Sequence, residues 1–194
     1  MSGLRLVVAG VGGQGVLSAA RFLALAAHRA GLPVVAGQLH GMAQRGGSVT
    51  ATVVIGGASS IVADGTADVL LATEPLEALR AIVKLHPEGC LLTNTRALPP
   101  SAAAVARNGY PPLDEILDKM RSRVAAVRAL DASALAEQAG SPQVLNIVLL
   151  GALAATGRFP VEPGLLLEAI EGACPVATRE LNRRAFALGR ASVR

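Results

Sequence analysis

The stretch GVGGQGVLSAARFLALAAHRAG, residues 10–31, decides how the chain is read. Gly10, Gly12 and Gly15 stand at the spacing of a glycine-rich turn that leads from a strand into a helix. Upstream, LRLVVAG (4–10) is a short apolar run ending in glycine, which predicts a buried strand. Downstream, Val16, Ala20, Leu23, Ala24 and Ala27 recur at helical spacing between Gln14 and Ala30, and Gly31 with Pro33 stops the helix. PVVAGQL (33–39) follows as a second strand. Strand, turn, helix and strand predict a βαβ unit, whose right-handed crossover implies a parallel sheet.

Past this unit, SVTATVVIG (48–56) alternates and is rich in β-branched residues, while ADVLLATE (67–74), GCLLTNT (89–95) and SRVAAVRAL (122–130) read as further strands. Helices are expected at 75–85, 111–120 and 131–140, the last capped by Asp131 and closed by Gly140. SPQVLNIVLLGALAATG (141–157) is apolar nearly all round, which marks a helix buried in a core or an interface. Two more helices, about 163–173 and 176–190, end the chain. The expected fold class is α/β: a Rossmann-like, doubly wound, mostly parallel sheet with a C-terminal helical appendage over about 141–194, in one domain spanning 1–194.

Composition narrows the function. Hydrophobic residues make up 52% of the chain and aromatics 2%, so the core must be built from Ala, Val and Leu. Arg5, Arg21, Arg29 and Arg45 precede Asp64, the first acid of the chain, so the whole net charge of +4 lies in the N-terminal third. Such a segment attracts an anion or an acidic protein surface. Nucleic acid is not expected, because stacking aromatics and a dense basic stripe are both missing. No apolar run is long enough for a membrane span, and Cys90 and Cys174 are isolated, as in a reducing compartment, which points to a soluble, cytoplasmic protein. Two cysteines also fall short of the roughly four that an iron–sulfur cluster asks for.

The glycine turn has two readings. It exposes backbone N–H groups at a helix N-terminus, where an anion is favoured, or it only lets the helix pack close to the sheet. An NAD site would add an acid at the end of the second strand to hold the ribose; the strand ends VVAGQLHG, without one. The segment QLHGMAQRGGSV (38–49) then gathers His40, Gln44, Arg45, Gly46 and Gly47 at the sheet edge where open α/β folds place ligands. Arg45 could pair with a carboxylate or phosphate there, or be a solvated side chain on a turn. His28, His86 and Cys90 read as structural, and neither a serine-hydrolase elbow, a P-loop nor metal-ligand spacing is present.

Taken in order, GVGGQGVLSAARFLALAAHRAG, HGMAQRGGSVTATVVIG, ADVLLATEPLEALR, NIVLLGALAATGRFP and NRRAFALGR resemble the gamma-type subunits of pyruvate and other 2-oxoacid:acceptor oxidoreductases. HGMAQRGG points within that family to the β subunit of indolepyruvate:ferredoxin oxidoreductase. The resemblance implies an accessory subunit, inactive alone, of a complex that oxidatively decarboxylates an aryl 2-oxoacid, joins the acyl group to coenzyme A and passes electrons to ferredoxin. It implies that thiamine diphosphate, magnesium and [4Fe–4S] clusters sit in a large partner subunit, and that this chain binds no cofactor alone. Gly10, Gly12, Gly13, Gln14 and Gly15 match the family's glycine turn, and His40, Gln44, Arg45, Gly46 and Gly47 its second motif. By resemblance these residues face coenzyme A or the partner. Self-association stays open, as does a stand-alone Rossmann-like protein binding a nucleotide or CoA ester. An NAD(P) dehydrogenase is the third alternative.

Overall fold

Alternation along β1 (Leu4–Val11) sets the layers: Leu6 and Val8 point to one side of the sheet, Val7 and Ala9 to the other, and all four are buried. A strand without a polar side needs cover on both faces. The computed structural model, which describes residues 3–40, 46–98 and 109–193, supplies that cover as a helical layer on each side of a six-stranded sheet. The strands after β1 are β2 (Val34–His40), β3 (Ser48–Ile55), β4 (Ala67–Ala72), β5 (Leu85–Asn94) and β6 (Ala126–Leu130). Their spatial order is β2-β3-β1-β4-β5-β6.

β1, β4, β5 and β6 pair in parallel, as the sequence predicts. The first unit differs from the expectation in one respect: β1 and β2 are not neighbours, because β3 lies between them and runs antiparallel to both. Connection length is the reason. A parallel neighbour needs a crossover of a dozen or more residues, and residues 41–47 are too few, so the chain turns back and β3 enters antiparallel.

Helix α1 (Val16–Arg29) buries Ala19, Phe22, Leu23 and Ala26 on one face of the sheet. The other face carries α2 (Pro75–Ala81), extended by a 3-10 turn to Lys84, and α3 (Leu113–Arg121). On the α1 side lie α4 (Ala132–Ala139), α5 (Leu145–Ala155), α6 (Pro163–Ala173) and α7 (Arg179–Ala191). The C-terminal helices thus complete the layer begun by α1. Helix α5 is buried from Leu145 to Leu153 because the sheet and neighbouring helices enclose it, which makes it a core helix. It meets α7 backbone to backbone: a Cβ on Gly151 would fall 2.1 Å from the Phe186 carbonyl oxygen, and one on Gly189 1.9 Å from that of Val148.

Candidate functional site

The C-terminal ends of β1, β4 and β5 meet at the glycine turn. Gly15 adopts a left-handed conformation (φ 77°) as the N-cap of α1, and a Cβ there would lie 2.6 Å from Asn146 Nδ2. Gly10 is equally constrained, since its Cβ would overlap Thr73 Oγ1 at 1.8 Å. No side chain caps α1 and its first turn holds no acid. The first-turn N–H groups of a helix have no partner inside it, so this end carries an uncompensated positive dipole.

The two sequence motifs are joined through their backbones. Gly12 N–H donates to the Gly47 carbonyl at 2.8 Å, and Gly46 N–H to the Gly12 carbonyl at 3.4 Å, prolonging the β1–β3 ladder into the turn. Where the glycine turn enters α1 opens a cleft of about 590 Å³, lined by Val11, Gly12, Gly13, Gly15, Val16, Leu17, Ser18, Gln38 and Val49. His40 ends β2, whereas Gln44 and Arg45 lie outside the described residues.

Gln14 turns its amide inward. Its Oε1 accepts from Val11 N–H at 2.9 Å and from the Thr73 hydroxyl at 2.7 Å, while its Nε2 donates to the Thr73 carbonyl at 3.3 Å. Asn146, at the start of α5, donates from Nδ2 to the Gly15 carbonyl at 3.2 Å. Asn94 Nδ2 donates to the Thr73 carbonyl at 3.1 Å and to Ser133 Oγ at 3.0 Å. A buried amide needs such partners, and here the partners are what fix the turn.

Two carboxylates stand behind the second motif. Glu74 is 1% exposed; it caps α2 through Glu77 N–H at 2.9 Å and accepts from the Tyr110 hydroxyl. Glu77, 3% exposed, accepts from Ser48 Oγ at 2.6 Å and from Arg80. Ser48 follows Gly47 directly, so Glu77 holds the start of β3 where the motif ends. Burial, then the Glu74 carboxylate, push the Tyr110 phenol well above its ordinary range. Sequence reasoning missed Thr73, Glu74, Glu77, Asn94 and Asn146. The weak signal available was a polar residue closing the apolar runs of β4 and β5, together with the Glu74 and Pro75 pair that begins a helix; Asn146 had none.

Among the described residues, the basic side chains of the N-terminal segment, Arg5, Arg21 and Arg29, do not converge on the turn. Arg5 lies at the opposite end of the sheet, in a cleft with Asp68, His86, Glu88 and Arg158. Arg29 lies against Gly172, while Arg21 lines a groove beside α1. Charge summed along the sequence ignores that β1 and α1 run in opposite directions. Burial raises the Cys90 thiol pKa against the opposing pull of Arg128 and Arg158, as suits an inert core cysteine. Among the described residues no three His, Cys, Asp or Glu side chains converge on a metal position. Cys90 in β5 and Cys174 at the end of α6 do not fit the thiolate set of a cluster.

Residues 5–192 match the family model for pyruvate ferredoxin/flavodoxin oxidoreductase. The chain belongs to this family. It is 42% identical over 182 residues to indolepyruvate oxidoreductase subunit IorB of Methanothermobacter thermautotrophicus, covering 93% of each chain. The gamma subunit of a keto/oxoacid ferredoxin oxidoreductase from Geobacter sulfurreducens superposes with a TM-score of 0.71 at 28% identity, over 97% of each chain. A 2-oxoglutarate:ferredoxin oxidoreductase from Magnetococcus marinus, solved with 2-oxoglutarate, coenzyme A and succinyl-CoA bound, gives 0.72 at 25% identity; it covers 99% of this chain and 31% of that one. The family member described here is thus an accessory, gamma-type subunit of a 2-oxoacid:ferredoxin oxidoreductase. Among its described residues no helix is long and apolar enough to cross a membrane.

Proposed function

We propose that this chain serves an indolepyruvate-type oxidoreductase and that the cleft at its glycine turn holds the phosphates of coenzyme A beside a larger partner subunit. The observation that carries this reading is the uncapped N-terminus of α1, facing a cleft of about 590 Å³ lined by Gly12, Gly13 and Gly15 of the glycine turn. Main-chain N–H groups at a helix start suit phosphate oxygens, and glycines let a bulky ligand approach the backbone. The coenzyme A in the Magnetococcus enzyme and the identity to IorB support the choice of ligand and substrate class.

In this reading the partner's thiamine diphosphate, magnesium and [4Fe–4S] clusters supply decarboxylation and electron transfer to ferredoxin. Its own part is positional. The Gln14, Thr73 and Asn146 hydrogen bonds keep the turn rigid, so the donors stay in place when the anion arrives. Gly46 and Gly47 hold Gly12 of the cleft wall through main-chain hydrogen bonds.

The test is steady-state kinetics of the co-produced complex carrying Gly12→Ala or Arg45→Ala. KM for coenzyme A is expected to rise by about tenfold, roughly the loss of one charge-assisted hydrogen bond, with subunit assembly unchanged. An unaltered KM in both variants would overturn the coenzyme reading. Loss of assembly instead would assign the same surface to docking.

A further inference from the structure

Strand β2 is an edge of the sheet, and among the described residues nothing pairs with its outer side. The Pro33 carbonyl accepts from Gly56 N–H at 2.8 Å, which fixes the ladder's polarity. Main-chain groups of Pro33, Val35, Gly37 and Leu39 face β3, and those of Val34, Ala36, Gln38 and His40 face outward.

Sheets ordinarily blunt such an edge with charge, proline, a bulge or brevity. The opposite edge, β6, has five residues and carries Arg128. β2 has seven, VVAGQLH, with no Lys, Arg, Asp, Glu or Pro and an unbroken register against β3. Apolar surface flanks it on both faces. On one side a groove of about 620 Å³ runs between α1 and β2 past Ala24, Leu25 and Ala36. It opens towards the glycine-turn cleft at Leu17, which is 37% exposed. On the other side Ser60 sits over Gly37, and the adjacent Ile61 is 83% exposed.

Charge selects the occupant. The Arg21 guanidinium rims the groove, no acid lines it among the described residues, and residues 1–63 contain none. Two copies of this edge would bring like-charged rims together, whereas an acidic segment complements them. We propose that the outer edge of β2 receives an extended, acid-flanked segment of the larger subunit, added to the sheet as one more strand with apolar side chains in the α1–β2 groove. This rests on the reading of the chain as a subunit working beside a larger partner, and is independent of where coenzyme A binds.

The test compares amide hydrogen exchange of the free chain with that of the co-produced complex, and adds two variants. Ala36→Pro removes an outward N–H and leaves the β3 ladder whole; Arg21→Glu reverses the rim charge at an exposed helix position. Slowed exchange at Val34, Ala36 and Gln38 on assembly is expected, with each variant weakening association by about tenfold or more. A complex that assembles while those amides exchange freely overturns the proposal and leaves the subunit reading standing. So does an Ala36→Pro or Arg21→Glu chain, folded by circular dichroism, that assembles like wild type. A free-chain dimer abolished by Ala36→Pro would replace the acidic segment with a second copy. Failure of the wild-type subunits to associate would remove both readings together.

Discussion

The two ends of the sheet are built from different materials. At the C-terminal ends of β1, β4 and β5, glycines expose main chain to a cleft while Gln14, Thr73, Asn94 and Asn146 brace it from behind. At the other end, Arg5, Asp68, His86, Glu88 and Arg158 line a cleft of about 450 Å³ with charged side chains. The second cleft is lined by ionisable side chains and the first, among the described residues, by none, yet the first has the more constrained geometry. A site that relies on backbone donors depends on distant residues that hold the backbone still, whereas exposed charges of mixed sign largely satisfy one another and solvent.

Substitutions can break that contrast. The largest effect is expected for Gly10→Ala, whose new Cβ would overlap Thr73 Oγ1 and disturb its bond to Gln14. Overpacking of this kind costs about 3 kcal/mol, which urea unfolding would read. Gln14→Ala is expected to cost about 2 kcal/mol, because Val11 N–H and the Thr73 hydroxyl lose their acceptor; Gln14→Glu keeps that oxygen and should recover part of the loss.

Tyr110→Phe sharpens the comparison through pH. The phenol titrates higher in the folded chain than in the unfolded one, so its contribution is fully present below about pH 10 and is lost as pH rises through the folded value. The variant should lose about 1 kcal/mol at neutral pH, where the hydroxyl no longer reaches Glu74, and show a shallower fall in stability above about pH 10. At the far end, Asp68→Asn removes a charge facing Arg5 N–H at 2.7 Å on exposed surface. Its effect should stay within about 0.5 kcal/mol. A large effect there, with none at Gln14, would reverse the assignment of the constrained end.

The sequence shows the turn and hides its supports. Glycine spacing, helical periodicity and the apolar run of α5 are local patterns, and each element they predict is present. The direction of β3 was also legible, in the seven residues between His40 and Ser48, but a strand–helix–strand pattern invites the parallel reading first. The bracing residues carry no such mark. Thr73 and Asn146 lie 59 and 131 positions from their partners, and in the chain each is an ordinary polar residue at an element's edge. Glu74 and Glu77 look like solvated acids of a helix start, and only the packing of α2 against the sheet buries them.

The bond between Asn146 and Gly15 sets a timetable for synthesis. The strand and helix flanking the turn are made before α5, and the carbonyl between them waits for that helix, well over a hundred residues later. That helix in turn is seated by Gly151 and Gly189 against α7, which is made later still. The mouth of the cleft therefore matures only after both helices, and a polypeptide released before α7 is translated carries the entire glycine signature without the means to hold it in shape.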